Sequence, residues 1–504
     1  MYIWHSFQAV YGKMEWLLKL LAVGVILSGM PTASFAASDD SGLFSIFEPT
    51  NEREIGAQQH KKIVAQYGGE YVQEGLNDYI LDIVLRIATV TEKRSEPWRV
   101  TVLNSPIVNA FALPGGYVYI TRGLLALANN EAEVAGVLAH EVGHVVARHG
   151  AQRQGRATGV GLLGAIAGIL TQSADVARLS QTMGGLLLAN YSREQEYEAD
   201  SLGIKYLGLA GYPREAAADF LERLADNAAY AKKLAGKDGE AGQFDFFASH
   251  PQTKNRIARA RSIAVSQKDD LKRDYRCKAY LDHLNGMIYG DDIKEGVIKG
   301  RQFLHPQLRF AFSAPRGFQL INSKRAVLAQ DRSGNQMTFD LDPRGLRGLS
   351  PADYMSRVWL AKIRTGTINP IQVGGAMGAV SRFTLTKGRQ KTYMTMVVVN
   401  FGYDKVARFV YRSRVRQQEL EAAYRDSYMS FRPMGYREAA KIRQTVLTVR
   451  KVGSDEDLSD LVSRMPQSKL KKDLFILLNP AFKKRAPQRG ETYKTLAYAS
   501  DIVH

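Results

Sequence analysis

His140-Glu141-Val142-Gly143-His144 places two histidines four residues apart with a glutamate between them. On an α-helix that spacing sets both rings on one face, one turn apart, where they can share a single metal ion. Glu141 is rotated away from the pair. It can therefore reach a water beside the metal without competing as a ligand, which is what a general base requires. The flanks define the helix. Asn129-Asn130-Glu131-Ala132-Glu133 supplies an N-cap and two early acids, and Gly150 supplies a stop, so a helix is predicted over 131–149. Val134, Ala135, Val137, Leu138, Ala139, Val142, Val145 and Val146 make it apolar on nearly every side, which predicts burial. Buried histidines and a buried glutamate need partners, and a metal is one such partner. His149, in the last turn, reads as a dipole or capping residue rather than a ligand.

A catalytic metal needs a third protein ligand and one open position. Ser192-Arg193-Glu194-Gln195-Glu196-Tyr197-Glu198-Ala199-Asp200 offers the ligand. Ser192 and Gln195 have capping-box spacing, so a second helix starts here and runs to about Leu209, ahead of Gly211 and Pro213. Glu196 and Asp200 share a face of that helix, with Ala199 and Gly203 leaving room beside them. The pair suits one carboxylate that binds metal and one that orients a ligating histidine.

With these segments the sequence resembles the gluzincin metallopeptidases that include the HtpX-type heat-shock protease and the CAAX prenyl protease. It is most similar to their periplasmic branch, which works in outer-membrane protein assembly and quality control. The resemblance also rests on Asn109-Ala110-Phe111-Ala112-Leu113-Pro114-Gly115-Gly116 and covers roughly residues 48–265. It implies that His140, His144 and Glu196 hold one zinc ion, that Glu141 is the general base, and that Asp200 is a supporting or proton-donating carboxylate. Ser249-His250-Pro251 with Arg256-Ile257 matches a histidine-bearing loop of the periplasmic branch. His250 is then either a latch on the open metal position or a loop histidine near the cleft.

Residues 107–113 and 117–121 have strand composition, with Pro114-Gly115-Gly116 as the turn. A protease that accepts varied sequences must hold backbone, and an exposed edge strand (Asn109, Ala110, Phe111, Ala112) does so by β-augmentation. The apolar stretches 158–170 and 183–188 join the two halves of the site; they are too short to span a bilayer and are expected to form a buried or cleft-covering helical hairpin, a candidate lid. At the N-terminus, Lys13 and Lys19 precede an apolar run from Leu20 to about Met30, and Ser34-Phe35-Ala36 offers a cleavage site. Residues 1–36 therefore read as a signal peptide, an uncleaved membrane anchor being the alternative, and the expected compartment is the periplasm. Cys277 is the one cysteine, so there is no disulfide framework and no thiolate metal site.

A chain of 504 residues exceeds one core. The expected fold class is α+β: a mainly helical metallopeptidase domain with a small edge-strand sheet over 37–295, an α+β domain with an antiparallel sheet over 296–436, and a small module over 437–504. In the middle part, strands are predicted over 308–313, 325–330, 337–341, 393–401 and 407–412, with helices over 350–364 and 417–430. That mix is loosely similar to PsbP-like modules and carries no chemical constellation; His305 is isolated and reads as structural. The tail resembles a LysM carbohydrate-binding module through strand 445–449, helix 458–464, Leu477-Leu478-Asn479 and Arg489-Gly490, although Gly453-Ser454-Asp455 replaces the usual Gly-Asp-Thr opening. Peptidoglycan is thus a candidate partner. Net charge is +18, and residues 432–504 carry 15 Lys and Arg against 8 Asp and Glu. No aromatic-basic motif for nucleic acid accompanies that charge, so nucleic acid is not an expected partner; anionic envelope polymers or lipid headgroups fit better. The functional expectation is a zinc endopeptidase acting on misfolded or stalled envelope proteins, with a chaperone or scaffold of little proteolysis as the alternative.

Overall fold

The histidine-bearing helix is the centre of the first part of the structure, a computed structural model that describes residues 49–150, 191–235, 246, 250, 255–267 and 274–501 apart from 325, 388–389, 403–404, 416–417 and 467. The predicted signal peptide and the candidate lid lie outside the described residues. Helices α1 (Pro49–Gln66) and α2 (Leu76–Ala88) lead to strands β1 (Arg99–Leu103), β2 (Ala110–Leu113) and β3 (Tyr117–Thr121). Helices α3 (Arg122–Leu127), α4 (Glu131–Val146), α5 (Arg193–Leu209), α6 (Glu215–Ala235), α7 (Arg256–Ser266) and α8 (Cys277–Leu284) follow. Among the described residues no helix is long and apolar enough to cross a membrane.

Helix α4 is buried along its length. Its first-turn acids are satisfied: Glu131 accepts from Tyr79, Tyr212 and Arg276, and the Asn130 side chain caps Glu133 N–H at 2.8 Å. The helix ends three residues before the predicted 149, because Arg148 adopts φ 55° and stops it ahead of Gly150. In the small sheet the order is β1-β3-β2, with β1 parallel and β2 antiparallel to β3, so β2 is an edge strand. Strand β2 begins at Ala110, not at 107; Asn109 precedes it, accepting the Thr121 N–H at its carbonyl and donating its own N–H to Thr121 Oγ1. Gly116 must be glycine. Its φ is 79°, and a Cβ would sit 2.9 Å from the Pro97 carbonyl oxygen.

The middle part is antiparallel throughout. Strands β4 (Val297–Lys299), β5 (Gln302–His305), β6 (Phe310–Ser313), β7 (Gln319–Asn322), β8 (Val327–Gln330), β9 (Gln336–Asp342), β10 (Ile368–Val373), β11 (Ala376–Lys387), β12 (Gln390–Asn400), β13 (Val406–Ser413) and β14 (Arg432–Pro433) form two sheets, with helix α9 (Gln418–Met429) before β14. Their orders are β10-β11-β12-β13-β9-β8-β7 and β14-β6-β5-β4. Side-chain alternation on β12 serves two cores: Val397 and Val399 join Phe312, Phe339, Phe409 and Phe431, whereas Met394, Met396 and Val398 pack on Trp359. The predicted helix over 350–364 is replaced by the single turn Pro351–Asp353 and a π-helical turn, Tyr354–Trp359. Tyr354 donates to Asp342 and lies 3.5 Å from Arg408, which also grips Asp340 through two bonds, so this turn is fixed by a buried polar network. His305 accepts the Leu308 N–H within its own turn.

In the tail, β15 (Thr445–Lys451) and β16 (Thr492–Tyr498) pair antiparallel around α10 (Leu458–Ser463) and α11 (Lys471–Leu478). Asn479 pins β16 by accepting Lys494 N–H and donating to its carbonyl. Leu447, Phe475, Leu478 and Leu496 belong to the same hydrophobic core as α4, so the tail is packed onto the helices around α4. One contact joins them chemically. The buried Lys494 ammonium donates to the carbonyls of Ala126 and Ala128, both at 2.7 Å, and Leu127 at 3.3 Å, at the end of α3 just ahead of the α4 cap. Carbonyls at a helix end lack intrahelical donors, and of these Leu127 takes a further long bond from Asn129 Nδ2 at 3.4 Å. Lys494→Met is expected to lower the unfolding free energy by about 2–4 kcal/mol, since it leaves buried carbonyls unpaired; urea unfolding followed by circular dichroism checks this.

Candidate metal centre

Helices α4 and α5 approach closely because glycine faces each from the other. A Cβ on Gly203 would stand 3.0 Å from His140 N, and one on Gly143 would stand 3.1 Å from the Ala199 carbonyl oxygen. This approach brings short side chains into one space. His140 Nε2 and His144 Nε2 are 3.0 Å apart, and Glu196 lies 3.7 Å from the first through Oε2 and 3.5 Å from the second through Oε1. His250 joins them from the segment before α7: its Nδ1 is 3.0 Å from Glu196 Oε1 and 3.3 Å from His140 Nε2. One ligand atom from each of these four buried residues lies within 4.8 Å of every other. The structure thus gathers His140, His144, Glu196 and His250, with Glu141 and Asp200 beside them.

The arrangement fits a metal. Its converging atoms are imidazole nitrogens and carboxylate oxygens, the groups that ligate divalent cations. Two polar atoms are also stranded: Glu141 Oε1 and His250 Nε2 are buried without a hydrogen-bond partner among the described residues, 3.5 Å from each other. Imidazoles and a carboxylate of this number are the donor set of a tetrahedral divalent ion.

The histidine rings are oriented from behind. Asp200 Oδ1 lies 3.0 Å from His140 Nδ1, which leaves Nε2 for the cluster. His144 Nδ1 lies 2.9 Å from His149 Nδ1, and His149 Nε2 lies 3.2 Å from Glu198. His149 is therefore neither a cap nor a member of the cluster; it sets the ring of His144. Arg256 ties the assembly together. It binds Asp200 through two bonds of 2.9 and 2.7 Å, reaches Glu196 Oε2 at 2.6 Å, and points Nη1 at the His250 carbonyl at 3.5 Å. Tyr191 stacks on His144 with centroids 3.9 Å apart, and Phe246 stacks on His250 at 4.3 Å.

Charge follows from this packing. Burial works against an ionised Glu196, but His250, His144 and His140 outweigh it and hold the carboxyl far below the usual range. Burial pushes Glu141 upward, with His250 and His140 pulling partly back, and the backbone of Ala112 in β2 lowers it slightly. Burial also disfavours a charged His140, yet Asp200 outweighs it and raises that ring above its ordinary value.

Arg256, His149, Tyr191 and Phe246 carry roles that the sequence reading did not assign. Arg256 did leave a signal: a cation at the first position of a helix opposes the dipole, and so points to a carboxylate nearby.

The profile of peptidase family M48 matches residues 75–264. The Beta-barrel assembly-enhancing protease of Escherichia coli (strain K12) is 31% identical over 198 residues, 38% of this chain and 39% of that one. The Mitochondrial metalloendopeptidase OMA1 of Schizosaccharomyces pombe is 31% identical over 210 residues, 41% and 59% of the two chains, and its Arabidopsis thaliana namesake is 38% identical over 160 residues, 32% and 30%. The chain spans about two fifths of the length of the bacterial relatives it matches.

Purified protein is expected to hold about one zinc ion, lost in His140→Ala and strongly weakened in Glu196→Ala. Elemental analysis after dialysis decides it: full occupancy in both variants rules the site out.

Proposed function

We propose that the protein, whose residues 75–264 match the profile of peptidase family M48, is a zinc-dependent endopeptidase of the periplasm that cleaves misfolded or stalled envelope proteins. The carrying observation is the convergence of His140, His144 and Glu196 with His250, whose Nε2 lies 3.5 Å from Glu141 Oε1. His140, His144 and Glu196 are the ligands, and zinc when bound supplies the Lewis acid that polarises a peptide carbonyl and acidifies water. Glu141 takes a proton from water at Oε1 and passes it to the leaving amine. Its raised affinity for a proton in the buried site suits both halves of that transfer. Asp200 holds His140 by Nδ1, and Arg256 keeps Asp200 and Glu196 in register. Substrate backbone lies along β2, whose outer edge is not paired with a strand among the described residues.

His250 decides how active the resting protein is. As a latch, its imidazole fills the position that substrate and water need, and a client must displace it. That placement also favours a second reading, a scaffold that holds clients for assembly and seldom cuts them. The βααβ tail resembles a LysM module and is proposed to hold the enzyme near peptidoglycan or anionic envelope polymers. The division into a signal peptide (1–36), a peptidase domain (37–295), an accessory domain (296–436) and this tail (437–504) is proposed with it.

Glu141→Gln is expected to abolish cleavage of an unfolded protein while zinc content and circular dichroism stay at wild-type values; cleavage at the wild-type rate defeats the mechanism. His250→Ala is expected to raise basal turnover at matched zinc content if His250 is a latch. A fall assigns it instead to the transition state, and no change removes both roles. Terminal-peptide mapping of envelope proteins in cells carrying wild-type or Glu141→Gln protein tests the substrate class.

A further inference from the structure

Beyond the metal cluster lies a cavity of about 990 Å³, bounded by the 104–108 connection, α6 near Ala231 and Leu234, and strands β4 and β7. Three features of its walls bear on what it takes. The 104–108 connection lines the cavity and runs directly into Asn109 and β2, which puts the Asn109 end of β2 next to this space in the chain. Strand β7 ends the seven-stranded sheet and β4 ends the four-stranded one, so two sheet edges meet at the cavity. Asn322 fixes their separation by donating to the Glu295 and Gly296 carbonyls at 2.7 and 3.2 Å, and Asp291 holds Ile298 N–H at 2.8 Å. The lining mixes apolar side chains (Ile107, Leu320) with charges of both signs (Glu295, Arg316). Walls of that kind suit backbone with varied side chains, whereas a ligand of one charge would call for one sign.

We propose that this cavity holds one flank of an extended polypeptide substrate, the flank that leaves β2 past Asn109, and that β7 pairs with it. The inference rests on the peptidase reading and adds a second backbone-binding edge to it. Two sheets from different parts of the chain then grip one substrate on the same side of the cut. Short peptides that fill β2 but not the cavity lose that grip, so length on one side sets how well a chain is cut. The accessory sheet thereby acts as a gauge of unfolded length.

Two experiments on the full-length protein test this. In Glu141→Gln with Cys277→Ser, Gln319→Cys is offered synthetic unstructured peptides with one cysteine placed about five residues to either side of a single mapped cleavage bond. Disulfide trapping is expected for one flank only. Equal trapping of both flanks, or trapping no better than at Val265→Cys on the exposed face of α7, overturns the proposal. In the active protein, lengthening the peptide on the trapped flank is expected to raise kcat/KM by roughly tenfold, as a few added backbone hydrogen bonds would. Leu320→Pro, which removes a donor from β7, is expected to bring that gain toward one. A gain kept in full by a folded Leu320→Pro also overturns it. Equal trapping of both flanks alongside cleavage at the mapped bond by the unsubstituted protein would sink the cavity's role and leave the peptidase reading standing.

Discussion

The metal centre exists because two helices touch backbone to backbone. Gly203 lies against His140 and Gly143 against Ala199, and no larger residue fits either place without moving a helix. A histidine ring and a glutamate side chain are both short. Only at this separation do His140 and His144 from α4 meet Glu196 from α5. The apolar girdle of α4 serves the same end by fixing the helix in the core, so that its one polar face has a single direction in which to point.

Placing three ligands on two helices leaves the problem of stranded charge, and the remaining polar residues answer it in layers. Asp200 and His149 stand behind the two histidines, Arg256 stands behind Asp200 and Glu196, and Glu198 stands behind His149. Arg256 has a further effect. Because it touches both Glu196 and the carbonyl of His250, helix α5 and the segment that carries His250 share one anchor.

The sequence made the site legible where geometry is local. Histidine spacing on α4 and the capping box on α5 report directly on helix faces, and both helices start where their caps stand. His250 and Arg256 come from 54 and 56 residues beyond their partners, and no periodicity encodes such a meeting; the resemblance to a family flagged the segment, and the packing gave it a reason. The second half divides in the same way. Runs of apolar alternation marked β12 and β13, while β7 is four residues without a pattern and β10 carries Pro370. That proline is tolerated because β10 ends its sheet and need not donate on its free side. The 350–364 stretch has the apolar content of a helix, yet Tyr354, Asp342 and Arg408 bind one another and wind it into a π turn instead.

The Lys494 contact has a consequence for the order in which the protein comes to life on the ribosome. The carbonyls that precede the metal helix wait for an ammonium 366 to 368 residues further along the chain. Local contacts form early in synthesis, but this one cannot. The helices that carry the ligands therefore emerge long before the residue that closes their base. The floor beneath α4 is thus completed only by a residue near the far end of the chain, after the sheets that lie between them in sequence have already been made.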